Sequence, residues 1–192
     1  VGTPLKDWDI QINYGIKTGL NDAFIINTEK RDEILANCLT EDERARTAEL
    51  IRPILRGRDI KRYGYNWANL WLINIHNGIK GKLPRIDINE YPAIKVHLDQ
   101  YWNKIKDRMD QGDTPYNLRN CAYMEDFFKP KITWGNLNLK GTYSYVQKGM
   151  FINAPSPFIV TSNIAILHIL NSKIADYYIR SLGVTRLSLI HI

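Results

Sequence analysis

The stretch Leu55-Arg56-Gly57-Arg58-Asp59-Ile60-Lys61-Arg62-Tyr63 packs four cations into seven residues, spaced by a glycine and an isoleucine. Arginine grips a phosphate or a guanine edge with paired donors, whereas lysine offers a point charge, so the mixture suits a nucleic-acid face. Asp59, the sole acid in the run, is placed to orient one of the arginines. A second segment, Gly15-Ile16-Lys17-Thr18-Gly19-Leu20-Asn21-Asp22-Ala23-Phe24-Ile25-Ile26, sets Lys17, Thr18 and Asn21 around flexible glycines. Such a loop can offer its lysine, hydroxyl and backbone N–H groups to a phosphate; a plain hairpin turn accounts for the same residues equally well. A third, Trp134-Gly135-Asn136-Leu137-Asn138-Leu139-Lys140-Gly141, carries Asn136, Asn138 and Lys140. Asparagine pairs with adenine edges and lysine with guanine, so this loop is a candidate base reader. The competing reading is a β-turn whose asparagines serve only the turn.

Motifs that would perform catalysis fail on spacing. Asn77-Gly78-Ile79-Lys80-Gly81-Lys82 resembles a phosphate loop superficially, but a P-loop needs four residues between its glycines and a Ser or Thr after the lysine, and Leu83 follows here. Neither Gly-x-Gly-x-x-Gly nor Gly-x-Ser-x-Gly occurs. Asp59-Ile60-Lys61 mimics half of a metal-dependent nuclease site, with no further carboxylate upstream to complete it. Asn153-Ala154-Pro155-Ser156-Pro157-Phe158 has the letters of an amino-methyltransferase tetrapeptide at the wrong spacing, because separated prolines cannot bring an amide and an aromatic face onto one base. The four histidines stand singly, and Cys38 and Cys121 lie far apart without metal-ligand spacing. No catalytic residue, metal or cofactor is expected in this chain.

The net charge is +6, with a pI near 9.2. Its distribution says more than its size. Residues 50–85 carry +7 and residues 129–192 carry +6, while residues 1–27, 28–49 and 86–128 carry −1, −3 and −3. In the first block Arg52, Arg56, Arg58, Lys61, Arg62, Lys80, Lys82 and Arg85 meet only Asp59; in the second Lys129, Lys131, Lys140, Lys148, Lys173, Arg180 and Arg186 meet only Asp176. Solubility would be served by either sign, so the near-absence of acids points to a polyanion partner rather than to ordinary solvated surface. Lys131 and Lys140 of the second block join the candidate DNA contacts. The longest apolar stretch, around residues 164–170, is far shorter than a membrane span, and a soluble, cytoplasmic protein without a membrane partner is expected.

These residues need elements to hold them. Trp8, Ile10 and Ile12 alternate as in a half-buried strand, and residues 23–26 read as a second strand, giving a hairpin or strand-loop-strand. Thr28 can cap a helix to about Leu39, and Thr40 with Glu43 forms a capping box for another that ends before Pro53. Residues 70–75 read as a buried strand. Ile94, Leu98, Tyr101, Ile105 and Met109 recur at helical spacing and predict one long amphipathic helix over 92–109. Strands are expected at 131–134, 142–146 and 158–161, then a helix capped by Ser162 or Asn163 and running to Tyr178. The fold class is α+β, with mixed, mostly antiparallel strands and several helices in a single domain.

Taken together with Tyr91-Pro92-Ala93-Ile94-Lys95, the run from Arg108 to Arg119, Phe128-Lys129-Pro130-Lys131-Ile132 and Ile169-Leu170-Asn171-Ser172-Lys173, the glycine-flanked and cation-rich segments resemble the TaqI-like C-terminal specificity domain of adenine-specific DNA methyltransferases and combined restriction-modification enzymes. The resemblance covers residues 10–182. It implies that the partners are double-stranded DNA and the catalytic methyltransferase domain of the same polypeptide. That domain would bind S-adenosylmethionine and flip the adenine, with Mg²⁺ required where an endonuclease is fused to it. Lys17, Thr18, Arg56, Arg58, Lys61 and Arg62 would fix register on phosphates, and the 134–141 loop would read sequence. Two other classes compete: a protein-interaction module built on Trp67, Trp71 and Trp102, and a stand-alone single-strand nucleic-acid binder. Residues 1–186 are read as the specificity domain. Residues 187–192 resemble the translation of a transposon-end adapter used in sequencing libraries, and the natural protein is expected to continue past Arg186.

Overall fold

The computed structural model describes residues 10–136 and 140–181. In chain order these form β1 (Ile12–Tyr14), α1 (Asn21–Phe24), β2 (Ile25–Asn27), α2 (Thr28–Ala36), α3 (Glu41–Leu50), β3 (Ile51–Leu55), β4 (Ile60–Lys61), β5 (Gly64–Tyr65), β6 (Leu70–Ile73), α4 (Pro92–Asp99), α5 (Trp102–Ile105), β7 (Lys131–Trp134), β8 (Tyr143–Val146), β9 (Phe151–Ile152), β10 (Pro157–Val160), α6 (Ile164–Leu170) and α7 (Lys173–Ser181), with short 3-10 turns between some of them. The class is α+β with mostly antiparallel strands, as expected. The described residues gather into two compact units, one drawn from 10–16, 55–68, 125–136 and 140–181, the other from 17–54 and 69–124.

The first unit is built on an antiparallel sheet ordered β1-β10-β7-β8. Alternation along β7 sends Ile132 and Trp134 into a cluster with Tyr143, Ile159, Ile166, Leu167, Leu170 and Ile179, so α6 and α7 cover that face. On the other face Phe127 stacks on Phe151 with centres 4.7 Å apart and meets Phe158 at 4.9 Å. β7 is therefore buried on both sides. Gly15 donates its N–H to Ser156 O (2.8 Å), and a β-carbon there would lie 2.5 Å from the Asn153 carbonyl carbon. The glycine serves close backbone approach, where the sequence reading assigned it flexibility.

The second unit contains an antiparallel β2-β6-β3 array, with Ile25 opposite Leu72 and Ile51 opposite Ile73. Half of the expected Thr40 capping box forms: Thr40 Oγ1 accepts from Glu43 N at 3.1 Å, but Glu43 Oε2 accepts from Leu39 N at 2.9 Å, one residue before the cap, rather than from Thr40 N. Glu43 is buried and its other oxygen accepts from Ala93 N at 3.2 Å, so one carboxylate caps α3 and the first turn of α4.

Several boundaries differ from the sequence expectations. β1 pairs with β10 and β2 with β6, so the opening segment is strand-loop-strand, with the residues before β2 wound into α1. Asn27 rather than Thr28 caps α2, because the Thr28 hydroxyl accepts the Trp71 indole N–H at 3.0 Å. The long helix over 92–109 breaks at Tyr101 (φ −103°, ψ 9°), and Met109 is exposed. Arg108, in register for a helical surface, is instead drawn into the interior by backbone carbonyls. The last helix divides at Asn171, whose side chain is engaged by β8.

Gly15→Ala is expected to destabilise the chain by about 1–3 kcal/mol through overpacking against backbone. Gly64→Ala, where nothing lies within 4 Å of the added carbon, should leave the melting midpoint near wild type. Thermal unfolding of the two variants side by side checks this.

Candidate nucleic-acid interface

In the first unit the cation-rich run folds as a 3-10 turn (Gly57–Asp59) followed by the two-stranded β4–β5 hairpin, with Ile60 opposite Tyr65 and Lys61 opposite Gly64. Asp59 is buried and organises the turn. Its Oδ2 accepts from the Arg56 backbone N and Nε, both at 2.9 Å, and its Oδ1 from Arg56 Nη2 at 2.8 Å. Burial pushes the Asp59 carboxyl up, but the Arg56 hydrogen bonds outweigh it and hold the group below the usual carboxylate range. Arg56 is thereby committed to Asp59 by a fork-shaped pair.

The other three cations are displayed. Arg58, Lys61 and Arg62 are exposed and form no ion pair among the described residues. Lys61 Nζ spends one donor on Arg58 O (2.8 Å), and Arg62 Nη2 donates to Asn171 O at 2.6 Å. The hairpin tip is fastened again where Tyr63 N donates to Tyr143 O at 2.9 Å. Asn171 completes the attachment: its Nδ2 donates to Tyr143 O (2.8 Å) and its Oδ1 accepts from Tyr143 N (3.1 Å), so an amide side chain pairs with the backbone of β8 like a fragment of strand.

The same unit brings Gly135 alongside. A β-carbon at Gly57 would lie 3.7 Å from Gly135 Cα and 2.8 Å from Ser156 Oγ. Asn136 follows, half-buried, and Lys140 is exposed at the far end of the loop. Gly141 N donates to Asp176 Oδ1 at 3.0 Å, and Arg180 pairs with Asp176 Oδ2 at 2.9 Å. Segments some eighty residues apart in sequence therefore meet at Gly57 and Gly135, the first followed by Arg58, Lys61 and Arg62 and the second by Asn136. Among the described residues this unit holds ten Lys and Arg against four Asp and Glu, whereas the other holds fourteen of each. The whole net positive charge of the described residues thus resides in one unit.

The TaqI-like C-terminal specificity domain profile matches residues 52–191. The chain belongs to that family. A solved structure with a similar fold is that of the Type IIL restriction-modification enzyme MmeI in complex with DNA: TM-score 0.61, 14% identity, covering 88% of this chain and 21% of the MmeI chain. This chain therefore spans about a fifth of the length of MmeI. No curated protein sequence matches it.

Against the family's matched range, the sequence candidates divide. Arg58, Lys61, Arg62, Asn136 and Lys140 all belong to the first unit, and Arg58, Lys61, Arg62 and Lys140 are exposed there. Asn138 lies outside the described residues, as does the 187–192 tail. Lys17 and Asn21 are exposed but belong to the second unit. Thr18 requires correction: it is buried, its hydroxyl donates to Asn21 Oδ1 (2.7 Å), and its carbonyl accepts from Arg108 Nε (2.9 Å), so the side chain faces inward. Lys131 requires a larger one. Coverage of both faces of β7 leaves it fully buried, with Nζ donating to Phe127 O (2.8 Å) and Met150 O (3.2 Å), and it cannot reach a phosphate.

Residues 77–82 border a cavity of about 770 Å³ in the second unit, together with Arg85 and Asp113. Gly78 there has φ 74°, and its hypothetical β-carbon would lie 2.5 Å from Leu83 O, so it serves a tight turn. The residues 153–158 do not fit an adenine pocket or a methyl-donor site: Asn153, Ser156 and Phe158 are buried, and Phe158 packs against Phe127 in the core. Sequence reasoning missed Asn171 and Arg108 as organisers. Arg108 is buried with no ion pair among the described residues, donates to Thr18, Ile105, Pro115 and Asn117 carbonyls, and lies over the Phe24 ring. Burial lowers its pKa to about 10, which leaves it charged at neutral pH.

Burial also lowers the Lys131 pKa to about 8 from an ordinary 10.5. Between these values the unfolded chain holds a proton that the folded chain has released, so stability rises with pH through this window; below pH 8 both states are protonated and the burial cost is constant. Lys131→Met should remove a rise on the order of 2 kcal/mol. Denaturant unfolding of wild type and variant at pH 7.5 and near 10 measures it, and parallel pH dependences would count against the assignment.

Proposed function

We propose that this chain is the sequence-reading part of an adenine-specific DNA methyltransferase of a restriction-modification system, and that it grips double-stranded DNA through the cation-bearing unit. The observation that carries the reading is the charge partition among the described residues: ten cations against four acids in one unit, strict balance in the other. Random surface decoration would spread the excess over both. Membership in a specificity-domain family supports the reading, as does fold similarity to an enzyme solved on DNA.

Arg58, Lys61 and Arg62 contact phosphates and set register, and Asn136 reads a base edge from the adjoining loop. Arg56 acts through the turn that presents them. Catalysis, S-adenosylmethionine binding and any DNA cleavage belong to domains outside this chain. The interaction-module alternative rests on the tryptophans. Trp71, however, is committed within the second unit, its indole N–H held by Thr28 and its ring beneath the Arg31 guanidinium at 4.3 Å.

Titration of labelled duplex at two salt concentrations tests the proposal. Arg58→Ala should weaken binding to all sequences and reduce the log–log salt slope by about one, while Lys131→Met should leave the slope alone. Asn136→Ala should relax discrimination at one base pair, at roughly 1–3 kcal/mol. No duplex binding at either salt concentration, or clear preference for melted strands, would refute the reading.

A further inference from the structure

The two-residue turn of the β4–β5 hairpin holds Tyr63 at φ 66°, in the left-handed region. A bulky side chain sits there at a cost that glycine does not meet and asparagine meets less. Burial does not offset that cost, since Tyr63 remains 45% exposed. Nor does its backbone bond to Tyr143, which glycine would make equally well. What the aromatic ring adds within the fold is limited to two side-chain contacts at the surface, with Arg62 and His168.

The ring is nearly half exposed beside these two side chains. The Arg62 guanidinium lies 5.1 Å from its centre and the His168 ring 5.6 Å away, tilted by 41°. Both hairpin-tip residues are pinned to β8 and Asn171, so the ring is presented on a rigid mount among the displayed cations Arg58, Lys61 and Arg62. A fixed, half-exposed aromatic face between phosphate-seeking groups is the arrangement that stacks on a nucleobase. In a duplex, such a face is available where a base step is opened or unstacked.

We infer that Tyr63 stacks on an exposed base at a locally opened step of the bound duplex, with the neighbouring cations on the flanking backbone. This inference rests on the DNA-binding reading above. Its own content is a non-electrostatic contact, separable from the cations because it adds affinity without changing salt dependence.

The experiment uses the 192-residue chain and a short labelled duplex of mixed sequence, either intact or with one central abasic position, at two salt concentrations. Wild type is expected to prefer the abasic duplex roughly tenfold, within the range of a single base–aromatic stack. Tyr63→Phe should keep that preference. Tyr63→Gly should bind both duplexes alike, with the wild-type salt slope, and should melt at or above the wild-type temperature because the turn is relieved. A Tyr63→Gly chain that keeps the preference, or that melts clearly below wild type, would overturn the inference, the latter by showing the ring to be a structural prop. Duplex binding by wild type without an abasic preference would overturn the inference alone, whereas failure of wild type to bind either duplex would remove the DNA reading and the inference with it.

Discussion

The Tyr143 backbone is where the cation-bearing unit is tied together. Tyr143 lies on β8, an end strand of the four-stranded sheet, and its N–H and C=O at that edge are taken by the Asn171 side chain and the Tyr63 N–H. An open edge would leave backbone groups available for pairing with another chain. Here they fix two remote segments, the hairpin tip and the junction between α6 and α7. Each bond contributes only about 1 kcal/mol net, but together they determine where Arg58, Lys61 and Arg62 point. Displayed charge is useful for recognition only when its mount is rigid, since a mobile cation loses side-chain and loop entropy on binding.

Buried charge serves order elsewhere in the molecule. Glu43 caps two helices, Asp59 locks a 3-10 turn through Arg56, and Arg108 gathers four carbonyls around the loop that bears Lys17. Each of these groups is surrounded by hydrogen-bonding partners, the condition under which a charge can leave water. Arg108 suits its place because its planar group offers five N–H donors and stays protonated. Lys131 stands at the margin of this rule, with two carbonyl partners and a pKa brought down by burial.

The cation-bearing unit thus combines committed and solvent-facing cations that are indistinguishable by residue type. Arg56 and Arg58 are two residues apart; one is spent on a carboxylate and the other faces solvent. The difference arises because the 3-10 turn places Arg56 at its amino-terminal cap, directly against the side chain three residues on. Similarly, Lys131 and Lys140 flank one loop, yet the first is sealed beneath aromatic rings and the second is exposed.

Local patterns made much of this legible from the amino-acid order alone. Thr40 and Asn163 as helix caps, the strands at β6, β7, β8 and β10, the α+β class and the family followed from short-range periodicity, cap chemistry and motif order, which are properties of neighbouring residues. The orientation of Asp59 toward an arginine was legible too, because both lie in one turn. Lys131, Thr18, the break at Tyr101 and the role of Asn171 were decided by tertiary structure. Whether a strand is covered on one face or two, and which carbonyls surround an arginine, depends on segments distant in the chain. Sequence fixes which side chains can carry charge, but solvent access sets what that charge does, and solvent access exists only once the second face of a sheet has been closed.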